Sequence, residues 1–306
     1  VWSLTTQLQY NVDWPVFSQP RALFLGGNTG SKETVIQFID VTTTGNASDF
    51  GDLTAGRASL MSASSKIRAV AAGGNTGSAV NVIDYVTIAS EGNASDFGDL
   101  SSTSQEGTGT GSSTRGLFQL GLATDNVNTI EYVTIASTGN ATDFGDRTTT
   151  AAYGQDSAIS SPTRGVFSGG FISNSVNIID YVTIASTGDA TDFGDTSVTR
   201  YGMGGASSAT RGVFGGGNTS GDTMDYITIA STGNASDFGN LTNSPRYISG
   251  TSNGVRGVFG GGKVSSTRQD VIQYITIAST GNATDFGNLI ASNFSLTATS
   301  GSHGGI

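Results

Sequence analysis

Six copies of the tripeptide Asp-Phe-Gly, beginning at Asp49, Asp96, Asp143, Asp192, Asp237 and Asp285, form the most regular ionisable pattern in the 306-residue sequence. Each is followed directly by a second Asp or an Asn, and side-chain oxygens at that spacing are a rudimentary cation site or acid–base pair. Arginine recurs with the same rhythm at Arg21, Arg68, Arg115, Arg164, Arg211 and Arg256. An acid or amide follows 14 to 17 residues later, at Gln37, Asp84, Glu131, Asp180, Asp225 and Gln273. Arginines brought to one point would clamp the carboxylate of an acidic sugar. Asn-Ala-Ser or Asn-Ala-Thr tripeptides at Asn46, Asn93, Asn140, Asn234 and Asn282 match the acceptor pattern for N-linked glycans.

Comparing the copies assigns these residues to the framework instead. A calcium loop needs a denser ladder of oxygen ligands, such as Asp-x-Asp-x-Asp-Gly, which does not occur. Phosphoryl transfer of the kinase type needs a Gly-rich phosphate loop, a strand lysine and a His-Arg-Asp loop, and none is present. The arginines are spread evenly along the chain, whereas catalysis requires convergence on one point. Arg21, Arg68, Arg115, Arg164, Arg211 and Arg256 are therefore expected to be structural ties, paired with acids such as Asp84, Glu131, Asp180 and Asp225. The fourth repeat has Asp189 where the others have Asn, and a turn accepts either residue while a glycan does not. His303 is the single histidine and there is no cysteine, which supports neither a Ser-His-Asp arrangement nor a His-rich or thiolate metal site. The expectation is a chain with no catalytic residues, no metal and no cofactor.

The elements that position these residues follow from the period. Successive Asp-Phe-Gly copies lie 47, 47, 49, 45 and 48 residues apart, a spacing that means a repeat protein. In the unit 199–242, Thr199-Arg200-Tyr201-Gly202-Met203-Gly204-Gly205-Ala206-Ser207 is small and Gly-rich, suiting an inner strand crowded against an axis. Arg211-Gly212-Val213-Phe214-Gly215-Gly216-Gly217 reads as a short apolar strand running into a turn, and Met224-Asp225-Tyr226-Ile227-Thr228-Ile229-Ala230 as a half-buried strand with alternating polarity. Gly233-Asn234 makes a turn into a short outer strand, Asp237-Phe238-Gly239-Asn240-Leu241. Four short antiparallel strands per ~47 residues are the signature of a β-propeller blade, whose apolar faces are buried only when neighbouring blades stack.

The Gly-Gly pairs at Gly26-Gly27, Gly73-Gly74, Gly169-Gly170, Gly215-Gly216 and Gly260-Gly261, with the aromatic strand that follows, resemble the kelch family of propellers. The outer aromatic is Phe (Phe50, Phe97, Phe144, Phe193, Phe238, Phe286) where kelch blades favour Trp, and it lies farther from the Tyr than usual. The Asp-box of sialidases, another propeller family, is not present, because Asp-Phe-Gly-Asp lacks its Ser-x-Asp start and closing Trp. The wording Val-Thr-Ile-Ala-Ser-Thr-Gly-Asn-Ala-Thr-Asp-Phe-Gly-Asp is also similar to repeats in structural proteins of marine tailed phages. That resemblance implies a non-enzymatic virion component in a tail-fibre, tail or decoration role, outside the cell. The alternatives are a secreted or cell-surface lectin-like propeller and, third, a glycan-cleaving one.

The expected fold is all-β, one kelch-like propeller over 1–306, starting and ending as a mature product or a fragment would. Six complete repeats are flanked by Val1-Trp2-Ser3-Leu4-Thr5 and by Ser302-His303-Gly304-Gly305-Ile306, two pieces that favour a seventh blade shared by the termini over a six-bladed ring. A net charge of −10 with 14 Lys plus Arg spread thinly argues against nucleic acid, and no apolar run is long enough for membrane insertion. Partners are expected to be other virion proteins or a host surface glycan or receptor, with a homo-oligomer allowed. Residues that do not repeat carry the remaining candidates for binding. They lie in the loops 28–34, 75–79, 123–128, 171–175, 218–223 and 263–270, represented by Asn28, Asn75, Asp125, Phe171, Asn218 and Lys263. Tyr10, Trp14 and Phe17 form a further aromatic group, suited to sugar stacking or to packing around the first inner strand.

Overall fold

The unit that the sequence divides into four strands does so in space. In the fifth blade, Met203–Ser207, Arg211–Gly216, Thr223–Thr228 and Ser236–Asn240 pair in that order from axis to rim, all antiparallel. The computed structural model describes residues 20–122, 127–150 and 157–306, and these form strands and turns without a helix. Six such sheets make a β-propeller; the sixth carries a fifth short strand, Lys263–Val264, folded back on Thr267–Thr276.

The ring closes at six blades, not the seven favoured from the flanking pieces. Thr297–Ser300 pairs antiparallel with Arg21–Leu25, from Ala22 opposite Ser300 to Leu25 opposite Thr297. The last inner strand thus completes the first blade instead of starting another, because Arg21–Leu25 otherwise exposes an unpaired edge to the axis. The N-terminal piece and the aromatics Tyr10, Trp14 and Phe17 lie outside the described residues, as does Asp125.

Apolar burial lies between blades, not within them. Leu23, Leu25 and Phe50 of the first blade pack with Leu60, Ala69, Ala71, Val86 and Ile88 from the second blade and the chain leading into it, and five similar clusters are formed by the other described core residues. Second strands are covered on both faces, which is why they read as unbroken apolar runs; Phe24, Phe118, Phe167, Phe214 and Phe259 are fully buried. Inner strands are small for the expected reason. A Cβ at Gly109 would lie 2.3 Å from the Ser62 carbonyl oxygen of the neighbouring blade. Inner-strand hydroxyls instead knit the axis: Ser252 donates to the Ser207 carbonyl at 2.6 Å, Ser207 to that of Ser160 at 2.9 Å, and Ser64 to that of Ser300 at 2.8 Å.

Asp-Phe-Gly is a β-bulge. Ile83 pairs with Gly98 and Asp84 with Asp96, so Phe97 is the extra residue and turns its ring into the core; the same shift occurs in all six blades. Beside each bulge the next blade's Gly-Asn-Ala turn docks. Gly139 N–H donates to the Phe97 carbonyl and Ala141 N–H to that of Asp99, each at 2.8 Å. Asn140 Oδ1 accepts the Asp99 N–H at 3.1 Å, and the equivalent contact closes every blade boundary, including Asn46 on Asn288. Asp189 does the same in the fourth blade, because the contact needs only a side-chain oxygen. These residues are inter-blade acceptors as well as turn formers.

Candidate ligand-binding face

Chain direction sorts the ionisable residues to two faces. An antiparallel blade places the loops after its second strand and the links into the next inner strand on one face. The remaining turns fall on the other.

On that other face lie the six repeated arginines, and they do not pair with the acids expected for them. Each guanidinium covers the aromatic ring of its own third strand, at 4.3–4.8 Å from the centroid for Arg21 on Phe38, Arg68 on Tyr85, Arg115 on Tyr132, Arg164 on Tyr181, Arg211 on Tyr226 and Arg256 on Tyr274. Each also donates to the end of the next blade's third strand, as Arg68 does to the Ala136 carbonyl at 2.9 Å and Arg256 to that of Thr42 at 2.7 Å. They are ties, but to rings and main chain, with Glu91 an added partner of Arg21 at 3.2 Å.

The acids are tied to different arginines. Asp84, Asp180 and Asp225 are fully buried and take Arg57, Arg147 and Arg200 at 2.5, 3.0 and 2.8 Å. These arginines lie in the links between blades, and burial lowers the Arg57 and Arg200 pKa values against the raising effect of their aspartates. A Thr or Ser at the foot of the preceding blade adds its N–H and hydroxyl, as Thr148 does on Asp180 and Ser197 on Asp225. Glu131 takes Ser101 in the same way, while the amides Gln273 and Gln37 accept from Thr242 and Ile290. Each such group serves its own blade boundary.

His303 sits on the axis at the end where the inner strands finish. Its Nε2 faces the Ser64 carbonyl at 3.1 Å, and its Nδ1 accepts the Gly305 N–H at 3.1 Å, so both nitrogens are used as in the neutral ring. The axial cavity beside it, about 70 Å³, leaves part of the ring accessible and is large enough for a few waters. Removal from bulk water pushes its pKa down to about 4, partly offset by the Ser64 contact.

The opposite end of the axis, where the inner strands begin, carries the loops that do not repeat. Phe171, Asn218, Lys263, Asn28 and Asn75 all lie on this face. The three asparagines shape loops: Asn28 and Asn75 accept the Gly30 and Gly77 N–H groups at 2.9 Å each, and Asn218 accepts that of Tyr201 at 2.9 Å. Asn75 also donates to Gln105. The two outward groups, Phe171 and Lys263, stand at the ends of an aromatic arc. Phe171 meets Tyr201 edge-on at 5.5 Å, Tyr201 meets Tyr247 at 5.9 Å, and Tyr247 meets Phe294 at 6.3 Å. Lys263 Nζ lies 3.5 Å above the Phe294 ring, with the Arg268 guanidinium at 5.9 Å from the same ring and that of Arg246 at 5.5 Å from Tyr247.

Sequence reasoning missed Tyr201, Tyr247, Phe294, Arg246 and Arg268. Tyr201, Arg246, Tyr247 and Phe294 precede inner strands, where a search for shared wording passes over them, and Arg268 lies in the loop 263–270, represented by Lys263 alone. Subtraction reveals the two arginines: of eleven, six stack at second strands and three enter buried ion pairs, leaving Arg246 and Arg268. The chain matches no protein-family model, and no curated protein is similar to it.

Proposed function

We propose that this protein is a non-enzymatic attachment module, a rigid propeller that presents one face of variable loops to a partner, within the virion of a tailed phage. The observation that carries the attachment reading is the aromatic and cationic arc, set on a ring whose repeated arginines and buried third-strand acids are consumed in ties within and between blades. The virion role is supported by the likeness of the repeat wording to phage tail and fibre proteins, and the double glycines support the kelch-like relationship. Partners are then other virion proteins or a surface glycan or receptor of the host. A secreted or cell-surface lectin-like propeller is the second reading, favoured by the same arc.

Gold-labelled antibody raised against the purified chain, applied to tailed particles from the source culture, tests the virion role. Labelling at the tail or fibres is expected, with capsid and tail genes beside the coding sequence. Unlabelled particles would overturn the virion role. Polysaccharide turnover abolished by substituting one carboxylate would overturn the non-enzymatic reading.

A further inference from the structure

Lys263, Arg246 and Arg268 lie together on one side of the arc, and none makes an ion pair among the described residues. The buried Arg246 Nε has no hydrogen-bond partner. Three cations gathered at one place are unusual in a chain of net charge −10. Tyr247 is equally out of place. Its φ is +57°, at a position before the inner strand where the fifth blade has Gly202 at +74° and the second has Ser59 at +57°. A bulky residue resists this left-handed conformation, and strain of that kind collects at functional sites.

We propose that the arc binds an acidic saccharide, with its carboxylate at Lys263, Arg246 and Arg268 and a sugar ring against Tyr247 and Tyr201; this specifies the ligand of the attachment module above and rests on that reading. An anion relieves the crowding of the three cations. Burial and then the charges of Arg268 and Arg246 lower the Lys263 pKa. The Tyr247 and Tyr201 rings lie tilted against each other at 5.9 Å, and Tyr247, its pKa pushed up to about 12 mainly by burial, stays a hydroxyl at any physiological pH. Two half-buried rings with hydroxyl tips offer the apolar surface and polar edge that a pyranose presents in return. Phe294 is a positioning residue, its face covered by Lys263. A free phosphate would use the cations and leave the tyrosines idle.

The test is calorimetric titration of the full chain with oligogalacturonate, a neutral hexose oligomer of equal length and inorganic phosphate. Oligogalacturonate should bind, roughly tenfold or more tightly than the neutral oligomer, and Lys263→Gln or Arg268→Gln should weaken it by about tenfold. Tyr247→Gly should abolish binding while leaving the unfolding midpoint unchanged or raised, because glycine tolerates the conformation. No binding of the uronate, equal binding of the neutral oligomer, or phosphate matching the uronate with Tyr247→Gly unaffected would each overturn the proposal. Particles labelled at the tail together with failed uronate binding would discard the ligand and leave the attachment role standing.

Discussion

His303 shows how little a residue's type says before its surroundings are known. The single histidine, which the sequence offered no catalytic partners, is a wedge on the axis, held neutral between Ser64 and Gly305. Its depressed pKa fixes the sign of a pH effect. Between about pH 6.5 and pH 4 the unfolded chain holds a proton that the folded chain does not, so stability rises with pH through that window. The loss from pH 7 to pH 4 is on the order of 2–3 kcal/mol for this group. Urea midpoints across that range should fall more steeply for the native chain than for His303→Gln. Equal slopes would mean that the ring is solvated.

At the scale of the element, the bulge and the turn that docks on it are one device. Gly98 has φ +147°, and a Cβ there would lie 2.5 Å from the Gly139 carbonyl oxygen of the next blade. Gly45 sits in the equivalent docking turn with nothing within 4 Å of its Cβ position. Gly98→Ala should therefore cost roughly 2–4 kcal/mol and Gly45→Ala less than about 0.5, measured by denaturant unfolding. Equal losses would show that turn propensity, not blade contact, selects the glycine. The strands were legible because their causes are local: apolar runs, alternation at Met224-Asp225-Tyr226-Ile227, and small residues at the axis. The partners were not, because they lie in other blades. Asp225 and Arg211 share a repeat and suggest a pair, but Asp225 is reached by Arg200 from the preceding link, and Arg211 reaches Ile277 and Ala278 of the next blade.

For the whole molecule, ring closure and the aromatic arc were both hidden for a related reason. The blade count turns on Thr297–Ser300 finding Arg21–Leu25 across the length of the chain, which no local pattern announces. The face opposite His303 is assembled from single residues in four successive blades, Phe171, Tyr201, Tyr247 and Phe294, so comparing repeats averages it away. The variable loops lie on the face that carries the arc, with Phe171 and Lys263 at the arc's two ends. What the repeats share holds the ring, and the proposed binding falls to what they do not share.

That division rests on the repeated phenylalanine being the joint between blades. Phe193 is 2% exposed, packs edge-on to Tyr181 at 5.9 Å, and belongs to a cluster that joins its own blade to Met203, Phe214, Ile227 and Ile229 of the next. Denaturant unfolding of Phe193→Ala is the most direct measurement of the claim. A loss of roughly 3–5 kcal/mol is predicted, and a loss below about 1 kcal/mol would contradict it.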